Sequence, residues 1–140
     1  MTLKELYYYH ETINRLYFNG SLEAVIIKTK TDNYDDPITA STETTSDPFI
    51  IWIDKDILRT STSISDKLFV LTVLFHEMIH QYNAENCVED TDDSGEHLQE
   101  FVDSSYEHGM LQNGYALSDK VRDTLISYIR KYEIVNRFKY

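Results

Sequence analysis

The chain has 140 residues, of which 24 are acidic and 13 basic, so its formal net charge is -11. A surface of this charge repels phosphate backbones, and we therefore expect no general nucleic-acid binding. Hydrophobic residues make up 41% of the chain, with only 4 glycines and 2 prolines. This composition is typical of one folded domain and excludes a disordered or repetitive protein.

The sequence carries no sign of secretion or membrane insertion. Its one cysteine, Cys87, has no partner for an internal disulfide and suits a reducing compartment. Lys4, Glu5 and three tyrosines interrupt residues 1–10, where a signal peptide needs an unbroken apolar stretch. No run approaches the ~18 apolar residues of a membrane-spanning helix. We predict a single cytoplasmic domain over residues 1–140, with no membrane segment.

Hydrophobic spacing predicts the elements of the first half of the chain. Residues 3–17 carry apolar positions three and four apart, which predicts a helix that ends at an Asn-Gly pair. Residues 24–27 and 49–53 are short β-branched runs that predict strands. The polar, threonine-rich residues between them, 29–47, predict an exposed edge strand or a loop.

The second half of the chain predicts three helices and an acidic loop. A helix over residues 67–81, with its N-cap at Ser65 or Asp66, is apolar nearly all round in its first half and belongs at the centre of the domain. Residues 84–96 carry six acids and no base, which predicts a loop. The remaining predicted helices span residues 96–107 and 118–132.

The pentapeptide His-Glu-Met-Ile-His, residues 76–80, falls within the predicted central helix. His76 and His80 are four residues apart, so both rings project from one helix face and can share a metal ion. Glu77 points to one side, where a carboxylate can act as general base on a metal-activated water. Chance gives only about 0.014 copies of this pattern in such a chain. We predict a zinc-dependent hydrolase with His76 and His80 as ligands and Glu77 as the catalytic residue.

A catalytic zinc site needs a third protein ligand beside its water. His97 is the best candidate, because it opens the next predicted helix after a loop that can return it over the histidine pair. Glu100 is the main rival, since two histidines and one glutamate also form zinc peptidase sites. Glu96 and His108 are further donors. Asn86 stands where the metzincin pattern needs its third histidine, which excludes that class.

Two further groups of residues are candidates for lesser roles. A developing oxyanion needs a hydrogen-bond donor beyond the metal, and the donors near the motif are Tyr82, Tyr106, His108 and Tyr115. Residues 90–95 resemble the start of a calcium-binding loop, but Phe101 stands where that loop needs a bidentate glutamate. We therefore predict a solvated acidic loop in place of a calcium site.

Several segments resemble the SprT-like zinc metalloproteases, the family that includes the Spartan DNA-repair proteases. The matching segments lie between residues 6 and 105. They are Leu6-Tyr7, Asn14, residues 17–22, residues 74–83, and the H-x-x-x-F motif of His97 and Phe101. The resemblance implies a Zn2+ endopeptidase and favours His97 over Glu100 as third ligand. It also implies a zincin-like α+β fold, in which a small mixed β-sheet packs beside an N-terminal helix and two metal-binding helices, with a C-terminal helix besides.

Two functions of different classes fit these observations. The first is a zinc endopeptidase that acts on a protein or peptide substrate, which the threonine-rich edge could hold as an added strand. The second is a catalytically weak, zinc-stabilised binding module of the same fold, whose acidic face docks a basic protein partner. Glu77 separates them, because a structural zinc site needs no base and is usually closed by a fourth, often cysteine, ligand.

Overall fold

A computed structural model of the chain describes residues 1–31 and 39–137. These residues form five α-helices, one 3-10 turn and two small sheets, so the fold class is α+β, as the sequence predicts. Residues 32–38 belong to the predicted edge strand or loop and lie outside the described residues. Within the two described ranges, no helix combines the length and the apolar character that a membrane crossing requires.

Helix α1 (Leu3–Tyr17) confirms the predicted first helix. Its N-terminus is a capping box, in which the Thr2 hydroxyl accepts from the Glu5 amide at 3.1 Å and the Glu5 carboxylate accepts from the Thr2 amide. Asn19 and Gly20 then take φ angles of 56° and 68°. This left-handed pair turns the chain away from the helix, as the sequence predicts.

A three-stranded mixed sheet follows, built from β1 (Ile26–Lys30), β2 (Ala40–Glu43) and β3 (Ile50–Asp54). The strand order is β1-β3-β2, with β1 parallel and β2 antiparallel to β3. The threonine-rich segment therefore supplies an edge strand, one of the two forms predicted for it. Strand β3 lies within one residue of the predicted range.

Strand β1 runs over residues 26–30, and the predicted range of 24–27 is wrong at both ends. The apolar run marks only the beginning of the strand, because alternate residues of a strand face opposite sides. Ile27 is buried, whereas Lys28 and Lys30 face outward with their ammonium groups 5.5 and 5.9 Å from the ring centroid of Trp52. Charged residues therefore continue a strand that has only one apolar face.

Helix α3 (Ile64–Glu85) is the central helix and extends beyond the predicted residues 67–81 at both ends. Its N-cap is Ser63, whose hydroxyl accepts from the Asp66 amide at 3.0 Å. The prediction of Ser65 or Asp66 as the cap is therefore wrong, because the first turn begins two residues earlier. Asp66 lies inside that turn, where its negative charge is favourable.

Helices α1, α3 and α5 (Asp119–Arg137) pack with the inner face of the sheet around one core. Its fully buried side chains include Leu6, Ile13, Ile51, Leu71, Leu74, Phe75 and Leu125. Full burial of each such side chain contributes about 1.5–3 kcal/mol. The core thereby fixes the orientation of α3, and with it the direction in which the helix face of residues 76–80 projects.

The remaining elements are short, and most of them have no clear sequence signal. They are α2 (Lys55–Arg59), α4 (Gln99–Glu107), the hairpin of β4 (Met110–Leu111) and β5 (Ala116–Leu117), and the 3-10 turn between these strands (Gln112–Gly114). Among these elements the sequence predicts only α4, and it predicts that the helix begins at residue 96 instead of Gln99. The hairpin connects α4 to α5, and its turn lies against the face of α3 that carries His76.

Candidate metal site

Three histidines meet beside α3: His76 and His80 from the helix itself, and His97 from the segment that precedes α4. One nitrogen of each ring lies within 4.8 Å of those of the other two, and the ring centroids are 5.0–5.2 Å apart. The four-residue spacing places the first two rings on one helix face. The structure thus brings the three predicted ligands together, and their rings can hold one metal ion.

His97 reaches this site from a loop. The helix predicted over residues 96–107 begins at Gln99, and His97 instead forms a β-bridge with Thr91. The prediction of two metal-binding helices is therefore wrong, because α3 carries two of the three histidines and the loop between α3 and α4 carries the third. The physical reason is Asp92, whose carboxylate accepts from two amides further along the loop and holds them in a turn.

The rival donors lie away from the histidine cluster. Glu96 and Glu100 are exposed, and neither joins the cluster. His108 stacks on Phe18, with ring centroids 4.5 Å apart, and its Nδ1 donates to the Ser104 carbonyl at 2.7 Å. In the part of the chain that the structure describes, the three histidines are the only His, Cys, Asp or Glu group arranged to share an ion.

Hydrogen bonds orient the two helical ligands. His76 Nδ1 donates to the Gly114 carbonyl at 2.7 Å, and His80 Nδ1 donates to Asp90 Oδ2 at 2.8 Å. The same carboxylate oxygen accepts from Asn83 Nδ2 at 3.1 Å. Both rings therefore carry their proton on Nδ1, which leaves Nε2 as the nitrogen with a free lone pair. A carbonyl or carboxylate behind a histidine ring is the usual support of a metal ligand.

The ring of Phe101 packs against all three histidines. Its centroid lies 4.1 Å from that of His97, 4.3 Å from that of His80 and 4.7 Å from that of His76. Gly114 completes this packing, because a Cβ at this position would lie 2.6 Å from the Phe101 ring, and its φ of 91° favours glycine. Only a glycine can therefore bring its carbonyl to His76 here.

Burial sets the charge state of two of the three rings. It lowers the pKa of His76 to about 4, and it also lowers the pKa of His97. Both rings are therefore neutral at pH 7. Neutral imidazole is the form that binds a metal ion.

Glu77 lies beside the histidines and is only 6% exposed. Its Oε1 accepts from the Thr42 hydroxyl of β2 at 2.8 Å, and the same hydroxyl lies 3.1 Å from the Glu77 carbonyl oxygen. Burial raises the pKa of the Glu77 carboxyl. A carboxylate whose pKa is raised towards neutrality is a stronger base than an exposed one.

The site opens into a cleft of about 820 Å³. One wall is β2, the floor is α3 and the opposite wall is the loop that leads to His97. That loop contributes a row of acidic side chains, which are Glu89, Asp90, Asp92 and Asp93. The cleft is therefore negatively charged along one wall, in keeping with the charge of the whole chain.

Of the four predicted oxyanion donors, only Tyr115 lies beside the histidines. Its hydroxyl is 3.3 Å from His97 Nδ1, and its ring centroid is 5.0 Å from that of His76. The other three make contacts elsewhere. The side chain of Asp90, the first residue of the calcium-like segment, is turned towards His80.

Sequence reasoning missed three residues that support the site: Thr42, Asp90 and Gly114. Thr42 is one of several threonines in its segment, and Asp90 is one of six acids in its loop, so neither is distinguished by residue type. Gly114 carries a usable signal, because Asn113-Gly114 is a turn dipeptide. That dipeptide marks the hairpin, although it does not reveal the contact with His76.

Comparison of the chain with known protein families finds no match, and comparison with curated proteins also finds none. The function is therefore inferred from the residues of the site and their geometry.

Proposed function

We propose that the chain is a zinc-dependent endopeptidase. The observation that carries this proposal is the convergence of three histidine nitrogens within 4.8 Å of one another, next to a buried glutamate that is not among them. Three protein ligands with a fourth position left for water form the usual catalytic zinc site, whereas structural zinc sites are closed and usually rich in cysteine. A bound zinc ion lowers the pKa of water to about 7 and polarises a carbonyl group.

Glu77 is the general base in this proposal. It takes a proton from the water that attacks the peptide carbonyl, and it passes that proton to the nitrogen of the amine that leaves. The Thr42 hydroxyl donates to one oxygen of Glu77 and thereby fixes the carboxylate in the cleft. Burial raises the pKa of Glu77, which favours its uptake of the proton from the attacking water.

Strand β2 provides a surface on which a peptide substrate can bind. It is an edge strand of its sheet, and three of its residues, Ala40, Ser41 and Thr42, line the cleft. An extended peptide that pairs with such an edge gains backbone hydrogen bonds whatever its side chains are. Its carbonyls would then pass close to Glu77. We expect proline substitutions across residues 39–45 to weaken cleavage, and unchanged cleavage would contradict this binding mode.

The resemblance to SprT-like zinc metalloproteases supports the same proposal. It rests on the pentapeptide at residues 76–80 and on His97 and Phe101, and the described α+β architecture is compatible with a zincin-like fold. The packing of Phe101 against all three histidines gives a physical role to the aromatic residue four positions after the third ligand.

The proposal is tested by zinc content together with cleavage of an unfolded test protein, for the native chain and for Glu77→Gln. We expect one zinc ion per chain in both proteins. We also expect cleavage by the native chain and a rate lower by about 10²–10⁴-fold in the variant, because that is the usual contribution of a general base. Equal cleavage by both proteins, or no zinc binding, would refute the proposal.

The same experiment distinguishes the endopeptidase from the alternative function, a zinc-stabilised binding module. The acidic wall of the cleft favours this second function, because it would attract a basic partner. Zinc binding by both proteins, without cleavage by either, would support it. A lysine-rich peptide should then bind to the native chain and to Glu77→Gln with equal affinity, since Glu77 would have no role in turnover.

A further inference from the structure

We infer that an apolar pocket next to the metal site is a specificity subsite, which takes a large apolar side chain of the peptide residue that follows the cleaved bond. This inference rests on the proposed peptidase function and adds a substrate preference to it. The pocket has a volume of about 510 Å³. Phe69, Thr72 and Val73 of α3 line it, and it shares His76 and Glu77 with the metal cleft.

The first observation is the exposure of Phe69. Helix α3 is buried over most of its length, yet this phenylalanine is 55% exposed. Phe69, Thr72, Val73 and His76 follow one another at the three- and four-residue spacing that places them on one helix face. An apolar stripe therefore leads along the helix directly to a metal ligand. A large exposed apolar residue in a pocket beside a reaction site indicates contact with a ligand.

The second observation is the path of β2 along α3. Ala40, at the start of the strand, lines the apolar pocket together with Phe69, and Thr42, in its middle, contacts Glu77. The strand therefore passes from the apolar pocket to the catalytic glutamate. A peptide paired antiparallel to β2, the more stable pairing, has its C-terminal part at Ala40. The residue after the cleaved bond then lies over the apolar pocket.

The metal cleft and the apolar pocket differ in chemistry. The acidic loop lines the metal cleft but not the apolar pocket, whose walls from α3 are Phe69, Thr72 and Val73. Burial of a leucine or phenylalanine side chain in the second region removes apolar surface from water on both partners. An aspartate there would lose hydration and would lie near the Glu77 carboxylate, which also lines the pocket. The expected preference is therefore for large apolar residues over alanine and aspartate.

The test uses zinc-loaded protein and quenched fluorescent peptides that differ only in the residue after the cleaved bond. For the native chain we expect kcat/KM for leucine or phenylalanine to exceed that for alanine by at least about tenfold, because each buried methylene discriminates by about 10-fold or more. Thr72→Phe fills the pocket and should reverse the order in favour of alanine. Phe69→Ala should reduce the preference. Ile134→Ala, an exposed apolar residue on α5, is the control and should keep the native order.

The reversal in Thr72→Phe is the informative result, since a damaged fold would slow all peptides alike. Equal rates for all peptides with the native chain would overturn the subsite and leave the peptidase proposal intact. Absence of all cleavage would refute the peptidase. The affinities of the same peptides for zinc-loaded Glu77→Gln would then test separately whether the pocket binds large apolar side chains. Equal affinities for all peptides would overturn the proposed subsite.

Discussion

The two sides of the candidate metal site belong to very different parts of the molecule. His76 and His80 project from α3, where Leu74, Phe75, Met78 and Ile79 are fully buried. Hydrogen bonds of 2.7 and 2.8 Å hold their rings. His97 comes from the acidic loop, and its ring nitrogen contacts the exposed Tyr115 hydroxyl at 3.3 Å. One side of the site is therefore a product of core packing, and the other depends on the conformation of a loop.

This difference indicates how the site assembles. The core fixes the helix that carries two of the proposed ligands, so these two histidines are in place once the chain has folded. The third ligand depends on contacts within the loop, chiefly the bridge between Thr91 and His97 and the hydrogen bond from the Leu98 amide to the Asp90 carbonyl. A metal ion would tie the loop to the helix, and its binding energy would order the loop.

The largest effect is expected from His97→Ala. Removal of this proposed ligand should weaken zinc binding by more than the 10–100-fold that loss of a supporting hydrogen-bond partner causes. The stability of the metal-free protein should change by about 1 kcal/mol or less, because the residue lies outside the core. Competition with a zinc chelator measures the first quantity, and urea unfolding measures the second.

Glu100→Ala is the matched control for this experiment. Glu100 lies three residues further along and is exposed, so its loss should leave zinc affinity unchanged. If Glu100→Ala released the metal and His97→Ala retained it, the loop would present a different ligand and the comparison between the two sides of the site would fail.

The helical side of the site is also the side that the sequence predicts best. Four-residue spacing fixes the relation of His76 to His80, and an apolar helix around them fixes their direction, so local rules suffice. The loop side depends on contacts that local rules do not describe. The hydrogen bonds of Asp92 hold residues 94–96 in a turn, so α4 begins later than predicted. The turn between two strands of only two residues each places the Gly114 carbonyl beside His76. Such short strands have no periodicity to detect, and the contact joins residues 38 apart.

The pH dependence of stability in the metal-free protein sharpens the comparison. His76 has a pKa of about 4 in the folded protein, against an ordinary value of 6.5. The unfolded chain therefore binds the proton first as pH falls. The contribution of His76 to stability is complete above pH 6.5 and is lost as pH falls through 4, with an upper limit of about 3 kcal/mol.

Urea unfolding between pH 7 and pH 4 checks this expectation. Replacement of the ring by His76→Gln should remove part of the loss of stability that the native chain shows on acidification. His97→Gln should remove less, because burial affects that partly exposed ring less strongly. If the two variants changed the pH profile equally, the helical ligand would not be the more deeply embedded of the two.

The smallest effect is expected from Asp90, which links the two sides of the site. Its carboxylate accepts from His80 and Asn83 on the helix, while its own carbonyl accepts from the loop amide of Leu98. Asp90→Ala should weaken zinc binding by about 10–100-fold, because the His80 ring loses the group that orients it. Asp90→Asn should be milder, since an amide oxygen still accepts from His80 Nδ1.

Asp93→Ala is the control that separates orientation from charge. Asp93 lies on the same loop and lines the same cleft, but it is exposed, so its replacement removes an equal charge without freeing a ligand. Chelator competition should show near-native affinity for this variant. The rate of amide hydrogen exchange in the loop should rise in Asp90→Ala alone, because that variant removes the hydrogen bonds that join the loop to His80 and Asn83 of α3. Equal losses of affinity in both variants would mean that Asp90 acts only through its charge, and the loop would then be held by the metal and the backbone.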